Sequence, residues 1–319
     1  MNIEASLSMV RPHGIGGTDI AAILGLSPYR TPVEVWVRLV RGVDRGLDDG
    51  LHLRFGRHAE AFIAQEFERA TGLQTHVHAG TIFHPEHAFM FGHVDRLVTG
   101  PGEAPLLEGG LLRTDRLLEC KTASAFSRHD WGEEGTDQVP PAYLMQCAWY
   151  LSVTRCQVAD VAVLLGNNDF RLYRVERDPE LEGLLLSHAQ RFWHDHVLPM
   201  VPPAPVTPGD AALLFPSERE GSTVEASPQV LTTLERYRDL LAQGGALASE
   251  CERLRAEILS YMGHAGGLTS GGRTLATWRR ARPSSRIDAR ALRAAHPEIA
   301  ARFSQECEGS RRFLLKEAA

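Results

Sequence analysis

A proline-rich segment at residues 199–208 constrains the fold more than any other feature, because five of its ten residues are proline. Proline has no amide hydrogen to donate, and closely spaced prolines stiffen a connector. Neither a helix nor an inner strand can therefore run through this segment. A chain of 319 residues has room for about two domains. We place the boundary near residue 205, which predicts domains at 1–204 and 205–319.

The first of these domains begins with helical periodicity and then changes to strand-like alternation. The predicted helices are 20–26, 32–40, 53–70, 141–153 and 179–197. The predicted strands are 75–83, 89–98, 116–121, 158–165 and 170–175, with the last two forming a hairpin. This order predicts an α/β fold with a mixed sheet flanked by helices.

Residues 205–319 are predicted to form a mainly helical extension with short strands. The predicted elements are helices at 230–262 and 288–303 and strands at 274–280 and 311–316. Arginines outnumber acids between Arg273 and Arg312, which favours a DNA-guiding or subunit-contact surface or, equally well, an ordinary solvated helical face.

Composition excludes several classes of protein. A formal net charge of −6 argues against a protein that coats DNA through bulk positive charge, although it does not exclude a local basic groove. The five cysteines never form a CxxC pair, so we expect buried free thiols rather than a zinc site or a disulfide framework. No apolar run is long enough for a membrane span and no secretory signal opens the chain, so we expect a soluble, cytoplasmic protein without a membrane partner.

The segment Leu117–Lys121 carries the most informative chemistry. Side chains alternate faces along a strand, so Glu119 and Lys121 point the same way and Cys120 points into the packing opposite. Asp95 lies on an earlier predicted strand and can complete an acidic site. Hard carboxylate oxygens favour Mg²⁺ or Mn²⁺, which suits phosphodiester cleavage.

This pattern alone is weak, because a solvated strand face with a Glu and a Lys is common. Its context strengthens the functional interpretation. Leu117 and Leu118 precede the pair, Asp95 lies upstream, and the predicted helix 53–70 carries Glu60.

Five motifs in a fixed order cover roughly residues 11–176. They are IGGTDIAAILGLSPYRTPVEVW (15–36), FGRHAEAFIAQEF (55–67), FGHVDRLV (91–98), LLECKTAS (117–124) and VPPAYLMQCAWYLSVT (139–154). On these motifs the sequence resembles the YqaJ-type viral recombinases, the lambda-exonuclease-like branch of the PD-(D/E)xK nuclease superfamily. The resemblance implies a restriction-endonuclease-like core.

The resemblance also implies roles for individual residues. Asp95 and Glu119 match the metal-binding acids, with the Cys120 backbone carbonyl as a further ligand. Lys121 matches the catalytic lysine, and Glu60 matches the auxiliary acid and metal ligand. An ordinary helix-surface acid is the alternative for Glu60.

Further positions match the family around the site. Gln146 matches the glutamine of a YxxQ motif that Tyr143 opens, although a structural amide is the alternative. Thr18 stands where the family often has a serine, and its hydroxyl is positioned for contact with a phosphate near the helix N-terminus. Arg11 is a looser match to a clamp on a terminal 5′ phosphate. Tyr143 is assigned with these two to DNA or phosphate binding.

Two other features have structural interpretations. We interpret Asp19 as a helix N-cap rather than a metal ligand. Trp149 and Tyr150 are interpreted as core residues, whereas Phe126 to Trp131 follow the catalytic strand in a loop where contact with DNA is expected.

The function that these features predict is a Mg²⁺-dependent DNA exonuclease, with Mn²⁺ able to substitute. The resemblance implies action on free duplex ends, 5′-to-3′ polarity, 3′ single-stranded tails for an annealing partner, and ring-shaped trimers. Two alternatives remain: a structure-selective or restriction-type endonuclease with the same site, and a non-catalytic DNA-binding assembly protein on the same fold.

Overall fold

The computed structural model describes residues 13–43, 50–78, 80–105, 107–108, 111–112, 114–305, 309 and 311–315. The chain divides into two compact units, Met1–Pro216 and Ser217–Ala319.

The first unit contains helices on both sides of a central sheet. Its helices are α1 (Gly17–Ile23), α2 (Pro32–Arg41), α3 (Leu51–Thr71), α4 (Pro141–Thr154), α5 (Pro179–Phe192) and α6 (Pro208–Leu214). Local chemistry explains the ends of α2. The Thr31 hydroxyl accepts the Glu34 amide at 3.2 Å, and Gly42 ends the helix with a φ of 67°.

Nine strands lie in the described residues of this unit. They are β1 (Gln74–His76), β2 (Ile82–Phe83), β3 (Phe91–Gly92), β4 (Arg96–Thr99), β5 (Leu107–Glu108), β6 (Leu111–Leu112), β7 (Arg116–Ala123), β8 (Val158–Leu165) and β9 (Asp169–Glu176). Five of them form the central sheet in the order β1-β4-β7-β8-β9. Strands β7 and β8 are parallel to each other, whereas the pairs β1–β4, β4–β7 and β8–β9 are antiparallel. The predicted β8–β9 hairpin is confirmed.

The sheet is covered on both faces. Helix α4 lies in the larger core, where Trp149 and Leu151 are fully buried. Helix α3 covers the opposite face, where Ile63 and Phe67 pack with Leu118 of β7. A mixed sheet between helical layers confirms the predicted fold class.

Two predicted strands are wrong as single elements. Residues 89–98 form β3 and β4, because β3 pairs with β2 while β4 pairs with β1 and β7. The chain therefore changes sheets at residues 93–95, and Asp95 lies in a bend immediately before β4 rather than inside a strand. Residues 75–83 likewise divide into β1 and β2.

Two smaller predictions, one at α1 and one at α5, are also corrected. The N-cap of α1 is Gly16, and Asp19 is the third helical residue, whose carboxylate accepts the Gly16 amide at 2.8 Å. The predicted helix 179–197 ends as α5 at Phe192 and continues as one π-helical turn, Trp193–Val197.

The second unit contains α7 (Pro228–Met262), the hairpin strands β10 (Gly267–Ser270) and β11 (Arg273–Thr277), α8 (Ala289–Ala295) and α9 (Pro297–Arg302). The predicted helix 288–303 is wrong as one element, since Pro297 interrupts it. The predicted closing strand is wrong over residues 311–315, which have no strand structure, and Lys316 lies outside the described residues.

Cys251 is exposed, so the expectation of buried thiols fails there, whereas Cys147 and Cys156 are buried.

Helix α6 follows the proline-rich segment yet belongs to the first unit. The Thr31 hydroxyl donates to the Asp210 carboxylate at 2.6 Å, which ties α6 to the start of α2. The predicted domain assignment at residue 205 stays a prediction. None of the helices that the structure describes is long and apolar enough to cross a membrane.

Candidate active site

Strand β7 brings a carboxylate and an ammonium to one face of the sheet. Lys121 Nζ donates to Glu119 Oε1 at 2.5 Å, and Glu119 is 2% exposed. Cys120 points to the other face and packs against the α3 layer. The geometry follows from strand alternation, as the sequence pattern predicted.

Gln146 of α4 joins these two groups. Its Nε2 donates to Glu119 Oε1 at 2.7 Å, and its Oε1 accepts from Lys121 Nζ at 3.0 Å. The amide nitrogen thus faces the carboxylate and the amide oxygen faces the ammonium, which is the favourable orientation at both ends. Helix α4 connects β7 to the parallel strand β8, so the βαβ unit itself delivers Gln146 to β7.

Asp95 approaches β7 from the bend before β4. Its Oδ2 accepts the Cys120 backbone amide at 2.7 Å, which fixes the carboxylate beside the Glu119–Lys121 segment. Desolvation raises the pKa of Asp95 well above its ordinary value, and the negative charge of Glu119 raises it further. The two carboxylates therefore favour a positive charge between them.

Lys121 supplies part of that charge. Burial alone would lower its pKa, but the carboxylates of Glu119 and Asp95 outweigh burial, so the pKa of Lys121 lies above its ordinary value. Beside these carboxylates the side chain is an ammonium, which is suited to donating hydrogen bonds and balancing negative charge.

Glu60 of α3 reaches the site indirectly. Its carboxylate forms an ion pair with Arg96, the first residue of β4. The same guanidinium donates to the Asp95 backbone carbonyl at 2.5 Å. Glu60 is thus linked to Asp95 through Arg96, and its role as a metal ligand stays a prediction.

The three residues predicted to bind DNA differ in what the structure says of them. The Tyr143 ring lies against the ammonium of Lys121, with Nζ 4.7 Å from the ring centroid. Thr18 is exposed in the first turn of α1, directly after Gly17, which lies against Gln146 and Tyr150. Arg11 lies outside the described residues.

Two contacts at the site were not predicted. Arg96 follows Asp95 directly, but nothing local shows that it pairs with α3. Tyr150 was interpreted as core, yet its hydroxyl accepts from Gln146 Nε2 at 3.0 Å. The available signal was its spacing, because a residue four positions after Gln146 lies on the same side of a helix.

A divalent cation fits this donor set. Glu119 Oε2 is buried and has no hydrogen-bond partner among the residues that the structure describes. Such a buried oxygen is costly unless something binds it. In the described part of the chain, no three His, Cys, Asp or Glu side chains are placed so that together they could hold a metal ion. Mg²⁺ commonly uses only one or two carboxylates and completes its shell with water and substrate phosphate, so a site with Asp95 and Glu119 needs no third acidic side chain.

Comparison with known proteins identifies the family of this chain. The family model described as the YqaJ-like viral recombinase domain matches residues 8–157, which include Asp95, Glu119, Lys121 and Gln146. "Uncharacterized protein YqaJ" of Bacillus subtilis (strain 168) is 30% identical over 317 residues, covering 97% of this chain and 93% of the relative. This chain belongs to the YqaJ-like viral recombinase family. The family predicted from the five motifs is thereby confirmed.

Solved structures of low sequence identity also resemble this family member. An alkaline exonuclease (LHK-Exo) from Laribacter hongkongensis is 16% identical, with a TM-score of 0.44 over 57% of this chain and 87% of that chain. A phage related exonuclease from Haemophilus somnus 129PT is 15% identical, with a TM-score of 0.42 over 59% of this chain and 96% of that chain. Similarity of this degree assigns no activity or residue role to the chain.

Proposed function

We propose that this protein is a metal-dependent DNA exonuclease whose active site is formed by Asp95, Glu119, Lys121 and Gln146. The observation that carries the proposal is the buried Glu119 carboxylate, which has one oxygen held by Lys121 and Gln146 and the other without a hydrogen-bond partner in the described residues. A purely structural ion pair has no need of a second carboxylate at Asp95 or of an open oxygen.

Asp95 and Glu119 are the residues that would hold Mg²⁺ or Mn²⁺, with the Cys120 carbonyl and Glu60 as further candidate ligands. A bound divalent ion lowers the pKa of a water molecule and polarises a phosphoryl oxygen. Mg²⁺ and Mn²⁺ suit this set because carboxylate and carbonyl oxygens are hard ligands.

Lys121 contributes charge and hydrogen bonds. Its ammonium donates to Glu119 and Gln146, and it can also hold the attacking water by an N–H donor and offset the negative charge that develops on the phosphate. Gln146 restrains the ammonium through a 3.0 Å hydrogen bond, and the Tyr143 ring covers it from one side. These contacts hold the Lys121 ammonium in one position, and the rate of hydrolysis depends on such fixed positioning of the reacting groups.

Free duplex ends are the proposed substrate, degraded 5′ to 3′ to leave 3′ single-stranded tails. Membership of a viral recombinase family supports a role in recombination, in which a single-strand annealing protein receives the tails. Arg11 is the proposed contact to the terminal 5′ phosphate, Thr18 is a proposed contact to a phosphate near the start of α1, and a ring-shaped homotrimer is the proposed assembly.

The test compares linear and closed-circular duplex DNA in Mg²⁺, using wild type and Lys121→Met. Loss of the linear form alone, abolished in the variant, supports the exonuclease. Cutting of the circle identifies an endonuclease instead, and DNA binding without cleavage in Mg²⁺ or Mn²⁺ identifies a non-catalytic protein. Duplexes labelled at the 5′ or the 3′ end report polarity, because only a 5′-to-3′ enzyme releases the 5′ label first.

The chain provides a matched control for the lysine. Its 34 Lys and Arg residues include only two lysines, Lys121 and Lys316. Lys316→Met should retain wild-type cleavage, which separates a specific requirement at Lys121 from a general effect of removing lysine.

A further inference from the structure

The Gln146 amide is held by three partners at once. Its nitrogen donates to Glu119 Oε1 at 2.7 Å and to the Tyr150 hydroxyl at 3.0 Å, while its oxygen accepts from Lys121 at 3.0 Å. An amide nitrogen has two hydrogens in one plane, so two acceptors fix the orientation of that plane. Tyr150 is the one partner of the three that is not itself part of the proposed reacting site.

The position of Tyr150 is set by two glycines of the family motifs. A Cβ added to Gly17 would lie 2.5 Å from Tyr150 Cε1, and one added to Gly92 would lie 3.0 Å from Cδ1. Neither glycine has a positive φ, so close approach of the ring, and not backbone conformation, explains why glycine stands at both positions. The Tyr150 ring is 5% exposed and packs in the space that Gly17 and Gly92 leave between the start of α1 and β3.

The position of the Tyr150 ring connects α1, the segment before Asp95 and helix α4. Gly17 opens α1, Gly92 ends β3 three residues before Asp95, and Tyr150 lies one helical turn after Gln146. The hydroxyl is the only polar atom of the Tyr150 side chain, and it is directed at the amide that restrains Glu119 and Lys121. A tyrosine that served packing alone would need no acceptor at this point.

We propose that Tyr150 is a positioning residue, whose hydroxyl holds the Gln146 amide in the plane that orients Glu119 and Lys121 for phosphodiester hydrolysis. The inference rests on the proposed nuclease function. Without the hydroxyl, one buried amide hydrogen loses its acceptor, and the amide gains freedom to rotate away from Glu119. The ring itself, and therefore the fold, is unchanged in Tyr150→Phe.

Steady-state cleavage of a linear duplex tests the proposal with Tyr150→Phe, Gln146→Ala and the double variant. Tyr150→Phe should lower kcat about tenfold while KM for DNA ends stays within about twofold. In the Gln146→Ala background the same substitution should have no further effect, because its only target is gone. A kcat near that of wild type, or losses that multiply in the double variant, would overturn the proposal.

Tyr173 offers a matched control. It is 1% exposed, lies in the same core, and donates its hydroxyl to the Gly132 carbonyl at 3.1 Å. Tyr173→Phe therefore removes a comparable buried hydrogen bond without touching Gln146, and kcat should remain within about twofold of wild type. An equal loss in both variants would assign the effect to general loosening of the core.

A second measurement is independent of cleavage. The side-chain NH₂ signals of ¹⁵N-glutamine-labelled protein, assigned through Gln146→Ala, report the amide directly. Exchange of the Gln146 amide hydrogens with water should be slow in wild type and faster by about tenfold or more in Tyr150→Phe, with Tyr173→Phe unchanged. Unaltered exchange overturns the positioning role. If the amide responds as expected but wild type cleaves no DNA, the proposed function fails and the contact stands.

Discussion

His84 makes a pH dependence of stability calculable from the structure. The side chain is 6% exposed, and its Nδ1 accepts the backbone amides of Glu86 at 3.1 Å and His87 at 3.2 Å. Protonation at Nδ1 would break both bonds and bury a charge. Desolvation, the charge of Arg155 and the neighbouring His87 lower the pKa of His84 from 6.5 to about 4.

The unfolded chain therefore binds the proton before the folded protein does as the pH falls. The contribution of His84 to stability is complete above pH 6.5 and is lost between pH 6.5 and about pH 4. The full loss is about 3 kcal/mol, since each tenfold difference in proton affinity is worth about 1.4 kcal/mol. Between pH 7 and pH 5 the loss is about 2 kcal/mol.

His84→Asn isolates this contribution from the other histidines, because the asparagine Oδ1 can accept the same two amides but does not titrate. Urea unfolding followed by tryptophan fluorescence suits the assay, since four of the five tryptophans, all but Trp278, lie in the first unit. From pH 7 to pH 5, wild type should lose about 2 kcal/mol more unfolding free energy than His84→Asn. Parallel losses in the two proteins would refute the reasoning.

Three further predictions concern the site and its surroundings. Lys121→Arg keeps the charge but replaces a compact donor by a planar fork, and kcat on linear DNA should fall about 100-fold or more, whereas a wild-type rate would contradict the role of Lys121. Mg²⁺ at about 100 times its dissociation constant should raise the unfolding free energy of wild type by about 2.7 kcal/mol relative to EDTA. Glu119→Gln should show no such rise. An equal rise in both proteins would mean that Glu119 is not a metal ligand. Phe126 is 91% exposed in the 3₁₀ turn after β7 and should stack on a base. Phe126→Ala should therefore weaken binding of a frayed duplex about tenfold, measured by fluorescence anisotropy in Ca²⁺. Leu184 is 59% exposed on α5, and Leu184→Ala should leave binding unchanged.

Elements with strong local signals were predictable from the sequence. Helix α2 has a Thr31 cap, a proline at its first position and Gly42 at its end, and all three signals are local. The β8–β9 hairpin likewise follows from two alternating runs around a short polar turn. The division of residues 89–98 was not predictable in this way, because it depends on which strands β3 and β4 pair with.

In the candidate site, too, the residues placed by a local sequence pattern were predictable, whereas those placed by tertiary contacts were not. Strand alternation was enough to place Glu119 and Lys121 together, since it needs no knowledge of the rest of the fold. Gln146 required the family resemblance, and the ion pair between Glu60 and Arg96 required the three-dimensional position of α3 over β4. An alternation pattern describes one strand and cannot say which helix covers its neighbour.

The use of lysine shows what the site demands of its cation. Arginine supplies 32 of the 34 basic residues and forms the buried or half-buried ion pairs with Glu60, Asp160 and Glu182. At position 121 the chain has lysine instead. A guanidinium favours paired contacts to a carboxylate in one plane, whereas an ammonium is a compact donor whose three hydrogens can point in different directions. Lys121 donates to Glu119 and Gln146 and also lies against the face of the Tyr143 ring. A compact head group with three hydrogens suits these three contacts, which accounts for a lysine at this position better than charge alone does.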